Sequence, residues 1–260
     1  MDISAILDQV FVFTFTFVAN LFASVSGGGA GFVQFPFLIL MGLPFATALG
    51  THKVAVVFLG IGALARKTSA HTAYSIDKAV AIVMLVLGCP AVVSGTLIVI
   101  NVPTQAAELT VGLVTIVMGI YTLVKKGFGS QGLEHRSKLR FFVGCLLVII
   151  IGMFSGSLSS GAGLFATLTL SLVFGLELKR AILHTMIFVA TIWNAVGAIT
   201  VGAVTSIYWS WVPVMIIASF SGAYVGTTLL FKLPVNKVRI IFSLVAILSG
   251  CLLVFTAIHG

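Results

Sequence analysis

The sequence predicts an all-α polytopic membrane protein made of two inverted repeats, each a glycine-broken helical hairpin followed by three transmembrane helices. Three observations predict it. Hydrophobic residues make up 60% of the 260 residues and charged residues only 8%. Two short apolar runs follow glycine- or serine-rich breaks at corresponding places in the two halves. All but one of the 14 Lys and Arg fall on one side of the layout that results. A soluble domain averages about 25% charged residues. A chain so poor in charge cannot cover itself with a water-facing surface, and no stretch is polar enough to fold in water alone, so it forms one membrane domain.

Taken in order, the first run, 5–26, is about 22 residues, long enough to cross a bilayer at about 1.5 Å per residue. It ends at Ser26-Gly27-Gly28-Gly29-Ala30-Gly31, and the run after it, 30–45, is too short to span. Runs 50–65, 79–100 and 105–124 complete the first repeat, residues 1–124, whose hairpin covers about 5–45. Residues 125–140 form a basic linker. The second repeat, 141–260, holds runs 141–158, 161–176, 181–204, 208–231 and 238–257. Its break reads Ser155-Gly156-Ser157-Leu158-Ser159-Ser160-Gly161-Ala162-Gly163, and the short run follows it.

The halves align. Gly29-Ala30-Gly31 matches Gly161-Ala162-Gly163, Gly42-Leu43 matches Gly175-Leu176, and Gly95 to Pro103 matches Gly226 to Pro234 at equal separation. Broken helices are tolerated in a membrane only where the freed backbone is buried in protein or lines a wet cavity. Paired interrupted segments are the sequence mark of a transporter binding site. The same glycines also serve close helix packing, and both readings stand at this point.

Charge sets the expected topology. With the 66–78 loop in the cytoplasm, residues 125–140, 179–180 and 232–239 are cytoplasmic too, while the turns at Asn101–Thr104 and 204–208 and both termini are periplasmic. Three full spans after each hairpin is an odd number, so the second half sits upside down relative to the first. No basic stretch precedes the first run, so a cleavable signal is not expected. The net charge of +8 lies in loops between apolar runs, which argues for a lipid bilayer as partner and against nucleic acid. Cys89, Cys145 and Cys251 all lie in apolar runs and read as packed thiols.

Lys53 is the exception to the charge rule: it sits in Gly50-Thr51-His52-Lys53 near the outer start of the third run. Either it snorkels to the outer headgroups or it supplies positive charge to an anion route. His52 and His184 occupy nearly equivalent places in the two halves; each reads as a packing residue or as a pathway residue that titrates.

The chemistry expected at the breaks is backbone chemistry. A helix start leaves N–H groups unpaired and carries roughly half a positive charge, and glycine allows close approach. The candidate substrate site is therefore Gly28, Gly29, Ala30, Gly31, Gln34, Thr51, His52, Lys53, Ser159, Ser160, Gly161, Ala162, Gly163 and His184, with Ser26 and Thr167 as further neutral donors. Neither break is a phosphate-binding P-loop, since no Gly-Lys-Ser/Thr follows.

Gly27-Gly28-Gly29-Ala30-Gly31 with Pro36, Gly42, Ala48 and Gly50-Thr51, and the degenerate second copy at Ser160-Gly161-Ala162-Gly163, resembles the TauE/SafE family of sulfite exporters, also called the TSUP permeases. The second copy departs from the pattern: Ser159-Ser160 replaces two glycines, Thr167 and Leu168 stand where a proline is usual, and Leu183-His184 replaces Gly-Thr. The resemblance implies a bacterial inner-membrane permease for sulfur-containing anions such as sulfite, thiosulfate or organosulfonates. It implies no catalytic residue, metal or cofactor; proton coupling would fall to His52, His184 or Glu108.

A secondary anion transporter is the leading expectation. A passive anion channel, a permease for a non-sulfur carboxylate and an intramembrane enzyme are the alternatives. The enzyme suffers from a thin inventory: six acidic residues, mostly at helix ends or in loops, and no Cys/His spacing for a metal. The residues select no oligomeric state and no direction of transport.

Overall fold

The computed structural model describes residues 3–65, 75–98, 104–125, 132, 137–159 and 161–259. Arg66, Lys67, Asn101 to Pro103, Lys126, Arg136 and the site candidate Ser160 lie outside the described residues.

Each apolar run becomes one helix: α1 (Ile3–Ser26), α2 (Ala30–Leu40), α3 (Phe45–Ala65), α4 (Lys78–Ile98), α5 (Thr104–Val124), α6 (Lys138–Ser157), α7 (Ala162–Leu172), α8 (Leu178–Val204), α9 (Val212–Lys232) and α10 (Val235–His259). Among the described residues, seven helices (α1, α3, α4, α6, α8, α9 and α10) are long and apolar enough to cross a membrane. α2 and α7, 11 residues each, reach only about half of a roughly 30 Å hydrocarbon core. Both stop the same way. Gly42 and Gly175 take left-handed backbone (φ 92° and 71°), and Leu43 and Leu176 send their N–H groups back to Leu38 and Leu170. Those matched glycines are helix stops.

Large apolar side chains cover the exterior: Leu40, Val124, Leu139, Ile199 and Leu248 are all at least 70% exposed. In water that surface would drive aggregation; in lipid it is solvated. α3 lies deepest, with 67% of its apolar window buried against 28–44% for the other six spans.

The packing partners exchange between the halves. α1 packs on α9 as α6 packs on α4, and α3 packs on α9 as α8 packs on α4. The matched glycines Gly95 and Gly226 make these crossings close. A Cβ at Gly95 would lie 2.0 Å from the Met153 carbonyl oxygen, and one at Gly226 would lie 2.3 Å from that of Leu21. At these two positions the close-packing reading holds. α3 and α8 run antiparallel: Gly50 lies against Val201, Lys53 against Gly197, and Gly60 against Met186 and Thr191. α5 and α10 are antiparallel too, with Gly112 against Gly250 and the Thr122 and Ser243 hydroxyls 2.8 Å apart.

Basic residues tie loops and helix ends together at one end of the bundle. Arg140 donates to the Leu172 carbonyl at the end of α7, Lys179 to Leu233 (2.7 Å), Arg180 to Ser75 (2.9 Å) and Arg239 to Lys125 (2.6 Å). Cations at helix C-termini complement the dipole. The opposite end carries Tyr208, Trp209 and Trp211, where Tyr208 N–H donates to the Thr51 hydroxyl (2.9 Å) and Thr47 meets Ser206 (3.2 Å). All three cysteines are free; Cys89 and Cys145 are half-buried, whereas Cys251 lies exposed on the outer face of α10.

Candidate functional site

Three consecutive glycines make the first break because the backbone there is left-handed three times running: Gly27 φ 79°, Gly28 φ 153°, Gly29 φ 100°. Only glycine adopts such a run without steric cost. The second break uses Ser159 (φ 59°) and Gly161 (φ 78°) for the same purpose. Gly29 and Gly161 are the N-caps of α2 and α7, and neither helix start has a side-chain cap. Ser26 and Thr167 brace the first break instead: the Ser26 hydroxyl bonds the Gly28 carbonyl (2.7 Å), and the Thr167 hydroxyl donates to that of Gly27 (2.9 Å).

The two breaks meet. A Cβ at Gly28 would lie 2.4 Å from the Leu164 nitrogen, and one at Gly163 would lie 2.9 Å from the Gly28 Cα. Backbone therefore packs on backbone, with the starts of α2 and α7 side by side. A cavity of about 30 Å³ opens beside them. The first break lines it with Gly28, Gly29, Ala30 and Gly31, and the second with Ser155, Ser159 and Gly163. α3 adds His52, Val56 and Leu59; α8 adds Thr185, Met186, Val189, Ala190 and Asn194.

Lys53 is fully buried, with no path to the outer headgroups, which removes the snorkelling alternative. Its stem lies along Gly197, where an added Cβ would come within 3.0 Å of Nζ. The amine donates to the Ser155 carbonyl and reaches the Ser159 hydroxyl at 3.5 Å, and both residues line the cavity. These acceptors are uncharged. None of the six acidic residues belongs to α2, α3, α6, α7 or α8. A buried cation without a carboxylate costs several kcal/mol unless an anion joins it.

The family model described as "Sulfite exporter TauE/SafE" matches residues 12–253. This chain belongs to the TauE/SafE family. Its relatives include "Probable membrane transporter protein ORF9" of Sinorhizobium sp, 27% identical over 84% of this chain and 81% of the relative. "Probable membrane transporter protein YfcA" of Escherichia coli K12 is 25% identical over 96% of this chain and 90% of its own. "Probable membrane transporter protein YdhB" of Bacillus subtilis 168 is 24% identical over 89% and 94%. No solved structure matches. With its apolar helices, this TauE/SafE chain is a multi-pass membrane transporter.

Not every candidate reaches the cavity of this TauE/SafE protein. His52 does, and its Nδ1 is buried without a hydrogen-bond partner among the described residues. His184 does not line it: its Nε2 accepts from the Asp77 N–H (2.9 Å) and its Nδ1 lies 2.8 Å from the Arg180 carbonyl, at the basic end. Thr51 holds the opposite end through Tyr208. Gln34 is buried against Asn20, whose Nδ2 donates to its Oε1 (3.1 Å). Gly161 and Ala162 form the start of α7 behind Gly163.

Asn194, Ser155 and Thr185 were missing from the sequence-derived site. Asn194 had a legible signal, being a lone amide inside an apolar run. Its Oδ1 accepts from Ser159 (3.4 Å), and its Nδ2 donates to the Val189 carbonyl (2.8 Å). That carbonyl also accepts the Asn194 backbone N–H, because Met186–Trp193 winds as a π-helix, a feature common at functional sites. Thr191 likewise bonds the Met186 carbonyl (3.0 Å). α4 has a second π segment, Met84–Gly88, joined to the first by Trp193 Nε1 donating to the Met84 carbonyl (2.8 Å).

Proposed function

We propose that this protein is a secondary transporter for small sulfur-containing anions, such as sulfite, thiosulfate or organosulfonates, held between the two glycine breaks. The observation that carries the reading is Lys53, a buried amine whose neutral partners, Ser155 and Ser159, line the cavity beside two uncapped helix starts. An anion would complete its charge and take hydrogen bonds from backbone N–H groups. Sulfur enters through the family description, "Sulfite exporter TauE/SafE".

At about 30 Å³ the cavity holds a water or two and not a sulfonate. Binding therefore needs the breaks to part, which suits alternating access better than a standing channel. We read the two halves as inverted repeats, supported by the antiparallel pairs α3/α8 and α5/α10. The basic end is assigned to the cytoplasm of a bacterial inner membrane, with both termini periplasmic. Of the residues to which proton coupling would fall, His52 lines the cavity and His184 does not.

The test is a thermal-shift screen of the purified protein with sulfite, thiosulfate, sulfoacetate, sulfate and acetate. Selective binding raises the melting temperature by mass action. The reading expects sulfite or a sulfonate to stabilise the wild type more than acetate does, and Lys53→Gln to abolish the effect. Equal response to every salt, or none to any, overturns it.

A further inference from the structure

A second, larger cavity begins where the first ends. It is an apolar crevice of about 230 Å³ between α1, α2 and α10, walled by Val18, Phe22, Val33, Val245 and Leu248. Its inner end is Ala23 and Gly29, and both of these residues also line the polar cavity at the breaks. Val18, Phe22, Val33 and Leu248 are 43–70% exposed on the lipid-facing surface, so the crevice opens sideways into hydrocarbon. Gly29 thus stands between a polar niche with a nearby amine and an apolar slot with an exit to the bilayer.

We propose that the crevice receives the alkyl tail of an amphipathic anion whose head sits at the glycine breaks. The inference deepens the anion-transport reading and rests on it: the substrate class becomes single-chain alkyl sulfonates or sulfur anions of like shape. The two compartments match the two ends of such a molecule. Binding sites for small molecules are mostly apolar with a few placed polar groups, and here the polar and apolar parts share two residues. A dry apolar cavity of roughly 150 Å³ takes benzene, so about 230 Å³ has room for a chain of about six carbons. A phospholipid tail fits the slot less well. Its headgroup stays at the bilayer surface, leaving only a chain end at Gly29 and no charge for Lys53.

The test measures binding of methane-, propane- and hexanesulfonate to the purified full-length protein by thermal shift and calorimetry. Wild type should bind more tightly as the chain grows, by about fourfold per buried methylene. Val33→Trp, and separately the smaller filling Ala19→Phe at another residue of the crevice wall, should erase the chain-length gain while leaving methanesulfonate affinity within about twofold. Gel-filtration profiles establish that both variants are folded. Affinity independent of chain length in wild type overturns the inference. So does a gain that persists in both filled variants, or a tightly held co-purifying phospholipid that either filling expels without changing hexanesulfonate affinity. If sulfite and all three sulfonates fail to bind folded wild type, the anion reading falls. If the short anions bind and length has no effect, only the tail subsite falls.

Discussion

Gly28 and Gly163 touch through their main chains: a Cβ on Gly28 would lie 2.5 Å from the Gly163 carbonyl carbon, and one on Gly163 would lie 3.2 Å from the Gly27 carbonyl oxygen. Residues 135 positions apart in the chain thereby bring two helix starts within reach of one small solute.

Gly28→Ala should therefore do more than strain one residue. Left-handed backbone costs an L-residue roughly 1–2 kcal/mol, and overpacking at the junction adds about 1–3 kcal/mol. Gly42→Ala is the control: φ is 92° but nothing lies within 4 Å of the added methyl. Gly28→Ala should lower the melting temperature strongly and abolish uptake into proteoliposomes. Gly42→Ala should cost only the strain and keep uptake. Full transport in Gly28→Ala would contradict the junction.

Lys53→Gln should leave the melting temperature unchanged or raised, because it removes a buried charge with neutral partners, and should cancel stabilisation by anions. Lys53→Arg should fail to restore binding. The guanidinium is larger than the ammonium and keeps five donors in a fixed plane, whereas the slot beside Gly197 is already filled to 3.0 Å. Recovery in the arginine variant would show that charge alone matters and that the slot is roomier than described.

Gly197→Leu should weaken anion binding by tenfold or more without altering any polar group, since its side chain claims the space of the Lys53 stem. Equilibrium titration of the variant against wild type measures this. An unchanged Kd would detach Lys53 from the site.

Trp193→Phe tests the link between the π segments. It deletes the donor to the Met84 carbonyl, a loss of about 0.5–1.5 kcal/mol. Denaturant unfolding in detergent reads it; a change below 0.5 kcal/mol, the ordinary scatter of neutral substitutions, would show that the indole nitrogen contributes nothing.

Orientation is open to chemical labelling. A cysteine replacing Ser206, in a background freed of Cys89, Cys145 and Cys251, should react with a membrane-impermeant maleimide added outside intact cells. One replacing Lys138 should react only after permeabilisation. The reverse pattern would invert the assigned topology.

The sequence alone was enough for the class, for the ten apolar runs that become helices and for most of their ends to within a few residues, because hydropathy and glycine act locally. A run either is long enough for the bilayer or is not, and Gly27-Gly28-Gly29 ends a helix wherever it stands. Local signals also located both breaks. They left unresolved which glycines bend the backbone and which let helices touch. Gly28 and Gly95 look alike in the chain, but the first abuts Gly163 and the second abuts Met153. Likewise the sequence paired His52 with His184, while folding sent one to the cavity and the other to Asp77 and Arg180. The burial of Lys53, the entry of Asn194 into the site and the apolar slot beyond Gly29 were decided only by tertiary structure. Each depends on what a distant helix presents across a few ångströms, and a one-dimensional pattern holds no record of that distance.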